Sequence, residues 1–203
     1  MTTSTILRIS GFALAIVALL ASPAVAQSPT EATGHHGDHG IAGDDLDDAT
    51  AFHHMVRGID VLPNRATMEE RWPDALQRLI AFALDEDVPE YERWRATSLL
   101  TNFPESEAQD ALLKLTDTEE PRIRSMAYYV LGTTFLEDGD DALLAELKTG
   151  LDDDEERVRA DVVRSFGWTN NEDAHQILRD IATGDRQDDL QPIAERSLQR
   201  LAD

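Results

Sequence analysis

The side chains best suited to chemistry are five histidines near the start of the chain. His35, His36 and His39 form the run His-His-Gly-Asp-His, and His53-His54 follow fourteen residues later. Imidazole is the commonest side-chain ligand of zinc, copper and nickel, and Asp38 adds a carboxylate to the first group. A flexible histidine-rich tract captures such ions without a preformed pocket. The tract is loose, with Gly34, Gly37, Gly40 and Gly43 around it, and no partner is legible that would orient the rings. The preferred reading is a solvated linker, with weak divalent-metal handling as its rival. The sixth histidine, His175, sits one residue from Ala174 and reads as an exposed or packing side chain.

Two acidic runs, Asp138-Gly139-Asp140-Asp141 and Asp152-Asp153-Asp154-Glu155-Glu156, offer the hard oxygen ligands that calcium prefers. Neither has the spaced aspartates and distal glutamate of a calcium loop. Both precede or open helices, where acidic groups favour the positive end of the dipole, so capping is the expectation. Reaction machinery is scarce. The chain has no cysteine, and no nucleophile elbow, phosphate-cradling glycine loop or zincin helix motif is found. Its 18 basic and 40 acidic residues give a net charge of −22, which repels nucleic acid and anionic membranes. A non-enzymatic protein without a cofactor is expected.

The elements that would position side chains are all helical. Phe52, Met55, Val56 and Ile59 recur at helical spacing and predict a first helix over Ala51–Leu62, ended by Pro63-Asn64. Two kinds of helix then alternate. One kind opens near Pro89, Pro121 and Pro192; the other opens with Asp-Ala at Asp74, Asp110, Asp141 and Asp173. Each Asp-Ala helix carries an apolar stripe, such as Leu76, Leu79, Ile80 and Ala83. Three segments of the first kind align: Arg93-Trp-Arg-Ala, Arg124-Ser-Met-Ala and Arg159-Ala-Asp-Val. Their arginines are 31 and 35 residues apart, and a weaker copy starts at Ala194. Such a period marks a stack of helical repeats. Gly132 and Gly167 also fall at one aligned position, where the first copy has Thr101.

Six residues before the aligned positions stand Asp87, Asp153 and Asp188, with Thr118 the exception. This pattern resembles the HEAT repeat, in particular the short HEAT-like class first noted in phycobilin lyases. The resemblance covers about Asp74 to Leu201. It implies a right-handed α-solenoid of about four helix pairs. It further implies that Asp87–Arg93 and Asp153–Arg159, with Arg124, support the joints between neighbouring repeats as a ladder. The family mostly supplies interaction surfaces. In such stacks the second helix of each pair lines the concave side. That would gather Arg78, Lys114, Lys148 and Arg179, one from each Asp-Ala helix, into a basic row for a partner. The competing reading of the row is helix support by pairs such as Asp74–Arg78.

The chain ends complete the expectation. Arg8, the apolar run Gly11–Leu20 and Ala24-Val25-Ala26 predict a signal peptide over residues 1–26. Residues 27–50 read as a disordered tether and 51–203 as the repeat domain. The apolar run is too short for a comfortable membrane span, and no cysteine follows the cleavage site to carry lipid. Together these features anticipate an exported, periplasmic or secreted scaffold that binds another exported protein, without a stable membrane anchor. The alternative is a metal-handling protein acting through the histidine tract.

Overall fold

Apolar side chains at three- and four-residue spacing build ten α-helices in the computed structural model, which describes residues 47–58, 63–184 and 189–202. They are α1 (Asp48–Arg57), α2 (Arg65–Arg71), α3 (Ala75–Leu84), α4 (Glu90–Leu99) and α5 (Ser106–Leu115). There follow α6 (Pro121–Val130), α7 (Asp141–Thr149), α8 (Glu156–Phe166), α9 (Glu172–Thr183) and α10 (Gln191–Ala202). No strand occurs among the described residues, so the fold is all-α. The first helix starts three residues ahead of the expected boundary, because Asp47 accepts a hydrogen bond from the Thr50 amide and caps it. The short α2, which the apolar pattern does not reveal, is nucleated by Asn64 capping Thr67.

The acidic run at Asp138–Asp141 does what capping predicts. Gly139 turns the chain at φ 77°, and Asp140 accepts from the Leu143 amide at 3.0 Å. Asn171 caps α9 in the same way, through the Ala174 amide. Proline opens the other kind of helix: Pro121 is the first residue of α6, and Pro89 immediately precedes α4.

The even-numbered helices α4, α6, α8 and α10 pack side against side in chain order. The odd-numbered helices lie against them, α3 on α4, α5 on α6 and α9 on α10. One continuous core runs through the interface, with Leu79, Leu99, Leu112, Ile123, Leu147, Phe166 and Leu178 essentially sealed from solvent. Phe103, in what the sequence marks as a breaker, is also fully buried, beneath the Arg65 guanidinium at 5.1 Å. α1 closes one end. The Trp72 indole donates to Asp48 at 2.8 Å, and buried Arg95 donates to the carbonyls of Val56 and Gly58. Those carbonyls belong to the open C-terminal end of α1, where a cation is favoured.

The two aligned glycines mark the closest helix approaches. A Cβ at Gly132 would lie 2.2 Å from Ser165 Oγ of α8, and one at Gly167 would lie 2.7 Å from Ser197 Cβ of α10. Neighbouring even helices therefore touch backbone to small side chain at both joints. Gly132→Ala should lower stability by about 1–3 kcal/mol, although alanine is the better helix former, because the core must open to admit the methyl group. Urea unfolding of the single variant and of Gly132→Ala/Ser165→Gly checks this: the second change should restore part of the loss.

Candidate functional site

Each repeated arginine lies at the start of an even helix, one turn in, and points towards the turn that leads into the next one. Arg93 Nη1 donates to Glu120 Oε1 at 2.8 Å. Arg124 forks onto Asp153 through Nε and Nη2, at 2.9 and 3.0 Å. Arg159 Nη2 donates to Asp189 at 2.8 Å. Two of the three also hold the turn behind them. Arg124 Nη1 donates to the carbonyls of Thr118 and Glu119, and Arg159 Nη1 to those of Asp153 and Asp154. Asp153 thus receives Arg124 on its carboxylate while its own carbonyl receives Arg159. A single turn links two helix starts.

The placement of the expected acids differs from the spacing rule. Asp87 does not meet Arg93; its amide donates to Asp85 within the turn, and Arg93 Nε instead donates to the Ala83 carbonyl. Asp188 lies outside the described residues. The acids that receive the arginines stand at varying positions: Glu120 is four residues before Arg124, Asp153 six before Arg159, and Asp189 five before Ala194. What recurs is a carboxylate within reach of the previous helix, reached by a longer side chain where the turn is shorter. A search for any acid in the turn, rather than at one fixed offset, would find all three.

The ladder acids are electrostatically set. Burial works against the Asp153 carboxylate, but hydrogen bonds from Arg124 and the Glu155 amide outweigh it and hold its pKa below the usual value. The Thr118 hydroxyl lowers Glu120 most, burial opposes it, and the Glu120 amide and Arg93 add smaller lowering effects; at Asp189 the Arg159 hydrogen bond is the largest effect and lowers it against burial.

Of the four cations expected in a row on the Asp-Ala helices, one is taken up by neighbouring side chains and three are exposed. Arg78 is engaged internally, donating to Asp74 at 2.9 Å, pairing with Asp48 at 2.6 Å and lying over the Phe52 ring. It clamps α1 onto α3. Arg179 is exposed and bonded to Gln176, while Lys114 and Lys148 are exposed. Lys148 borders a cleft of about 380 Å³ between α7 and α9, facing Asp173 and Gln176.

The described histidines do not converge. His53 faces inwards, its Nε2 2.5 Å from Glu92 Oε2 at an angle outside hydrogen-bond geometry, whereas His54 is exposed. His35, His36 and His39 lie outside the described residues. His175 donates from Nε2 to the Thr169 carbonyl, a packing role. Among the described residues no three metal-ligating side chains gather, and no helix is long and apolar enough to cross a membrane.

Charge is divided between the helix layers in a way the sequence reading missed. The even helices α4, α6, α8 and α10 carry nine arginines against five acids, a net of +4 in a chain of net −22. The odd helices α3, α5, α7 and α9 carry four basic and seven acidic residues. Outward or half-buried side chains of the even helices recur at helical spacing, Tyr91 and Trp94, Arg122 and Tyr129, Arg157 and Arg164, and Trp168 follows in the turn just past α8. Trp168 is 55% exposed, the most exposed large apolar side chain among the described residues.

No family model matches the chain, and no curated protein matches it. Among solved structures it is similar to an engineered protein from a structural genomics programme, at 18% identity and a TM-score of 0.41, over 75% of this chain and 72% of that one.

The depressed ladder carboxylates fix a pH dependence. A carboxylate whose folded pKa lies below its unfolded value contributes stability above the unfolded value, near about 4, and loses it as pH falls through the folded one. Stability should therefore drop as pH falls below about 4. Asp153→Asn should cost about 1–3 kcal/mol at neutral pH and should flatten that drop. Urea midpoints from neutral pH down to the acid limb measure both effects.

Proposed function

We propose that this chain is an exported, non-enzymatic, HEAT-like scaffold that binds another protein across a stack of helix pairs. The observation that carries the reading is the recurring arginine contact: Arg93, Arg124 and Arg159 each bridge one helix start to the acidic turn before the next. A contact repeated along the chain is what a solenoid requires, because each pair must be fixed to its neighbour and to little else. With spacing held from inside, outward side chains are free to serve recognition. Export rests on the N-terminal run of Arg8, apolar residues and Ala24-Val25-Ala26.

The choice of recognition layer follows from spacing. Even helices pack directly on one another all along the stack, whereas α7 makes little direct contact with α5 or α9; clefts occur in both layers, at α5–α7, α7–α9 and α8–α10. A stack curves towards its more closely spaced layer. We therefore take α4, α6, α8 and α10 as the inner side, in place of the Asp-Ala helices.

An affinity pull-down from periplasmic extract tests the scaffold reading. The full chain should retain a discrete partner after stringent washing, and a variant reversing Lys114, Lys148 and Arg179 should retain it equally. Retention of nothing beyond the bare-resin control would contradict the reading.

A further inference from the structure

We infer that the outward face of α4, α6, α8 and α10 docks an acidic polypeptide segment of a partner protein, with carboxylates on the arginines and an apolar side chain on Trp168. This rests on the scaffold reading and names its surface and the partner's chemistry.

Four of the nine even-helix arginines are engaged inside: Arg93, Arg124 and Arg159 in the ladder, and Arg95 on the end of α1. The other five, Arg122, Arg157, Arg164, Arg196 and Arg200, face outwards. Of these only Arg164 pairs with a carboxylate among the described residues, that of Asp161, which also accepts the Ser125 hydroxyl. Arg196 donates Nε to the Pro192 carbonyl. In a chain with more than twice as many acids as bases, four outward arginines without a carboxylate partner among the described residues are conspicuous. Arg164, Arg196 and Arg200 converge with Ile193 and Ser197 on a cleft of about 240 Å³ between α8 and α10.

Two of the arginines are already ordered by stacking. Arg200 lies 4.1 Å from the Trp168 ring centre, and Arg122 lies 4.3 Å from that of Trp94, with Tyr91 alongside. Stacking on an aromatic face lowers the entropy lost on binding and leaves the N–H edge of the guanidinium free. That edge matches a carboxylate with two parallel hydrogen bonds. Exposed tryptophan beside arginine is also the composition of interface hot spots. A continuous phosphate backbone is the poorer fit, because the net charge of −22 repels it along its whole length. A polypeptide with spaced acids can meet the outward arginines one at a time, between the exposed Glu90, Glu156 and Glu195 of the same helices.

The test uses fluorescein-labelled Glu/Leu peptide, with Lys/Leu peptide and oligothymidylate as competing probes, titrated into the full chain. Anisotropy reports binding, and Trp168 fluorescence reports the site against a Trp168→Phe control. The Glu/Leu peptide alone should bind. Arg157→Glu/Arg196→Glu/Arg200→Glu should weaken it at least tenfold with an unchanged thermal midpoint, while Lys114→Glu/Lys148→Glu should not. Equal binding by both variants, or binding of oligothymidylate or Lys/Leu peptide instead, overturns the inference. So does binding seen only when Glu31, Asp38, Asp44 and Asp45 are made neutral, which would make the chain's own N-terminal segment the occupant. A pull-down partner retained by wild type and by the triple arginine variant alike would refute this face and leave the scaffold reading standing.

Discussion

A guanidinium lodged between neighbouring helices carries five N–H groups, each needing an acceptor wherever water is excluded. Arg124 meets most of the need with four hydrogen bonds, whereas the buried Nε of Arg159 is left without an acceptor. The Arg124 fork closes on the two oxygens of Asp153 ahead, and its remaining donor takes two carbonyls of the turn behind. The fork geometry is selective, since a lysine ammonium would supply the charge without spanning both turns. This constraint dictates much else: an acid in the turn, carbonyls left free by a tight connection, and a helix that starts beside both. Within the acidic run at Asp152–Glu156 it accounts for Asp153, which faces inwards; Glu155 precedes α8 without a side-chain capping bond.

Once arginine contacts set the spacing from one side, close packing sets it from the other. Gly132 and Gly167 let α8 and α10 approach through Ser165 and Ser197, and both joints lie in the even layer. Among the described residues no glycine joins two odd helices, and α7 packs only loosely against α5 and α9. The same asymmetry divides the charge, with outward arginines and aromatic rings collected on the tightly packed helices. On the proposed reading, recognition falls to the layer the ladder holds.

Much of the fold was legible because helices advertise themselves by period and caps. The stripe Leu76, Leu79, Ala83 and the capping residues Asp140 and Asn171 act within a few residues of where they stand. The arginines were legible as a set because their alignment needs no three-dimensional information. Their partners were not, since Glu120 and Asp189 depart from the fixed offset and only space shows that they reach the preceding helix. Arg78 misled for a related reason. Its i,i+4 partner Asp74 was visible, but Asp48 on α1 is thirty residues away in sequence. The outward arginine face was hidden because the period says which residues point out and is silent on which layer packs more closely.

The central claim is that the repeated arginine couples one helix start to the next, and a double-mutant cycle on Arg124 and Asp153 tests it most directly. Unfolding free energies of wild type, Arg124→Gln, Asp153→Asn and the double variant, measured in urea at neutral pH, give the coupling. The account predicts at least about 1 kcal/mol of favourable interaction, as expected for contacting residues in one hydrogen-bonded network. Additive losses, with coupling indistinguishable from zero, would contradict it and leave the arginine period without the supporting role assigned to it.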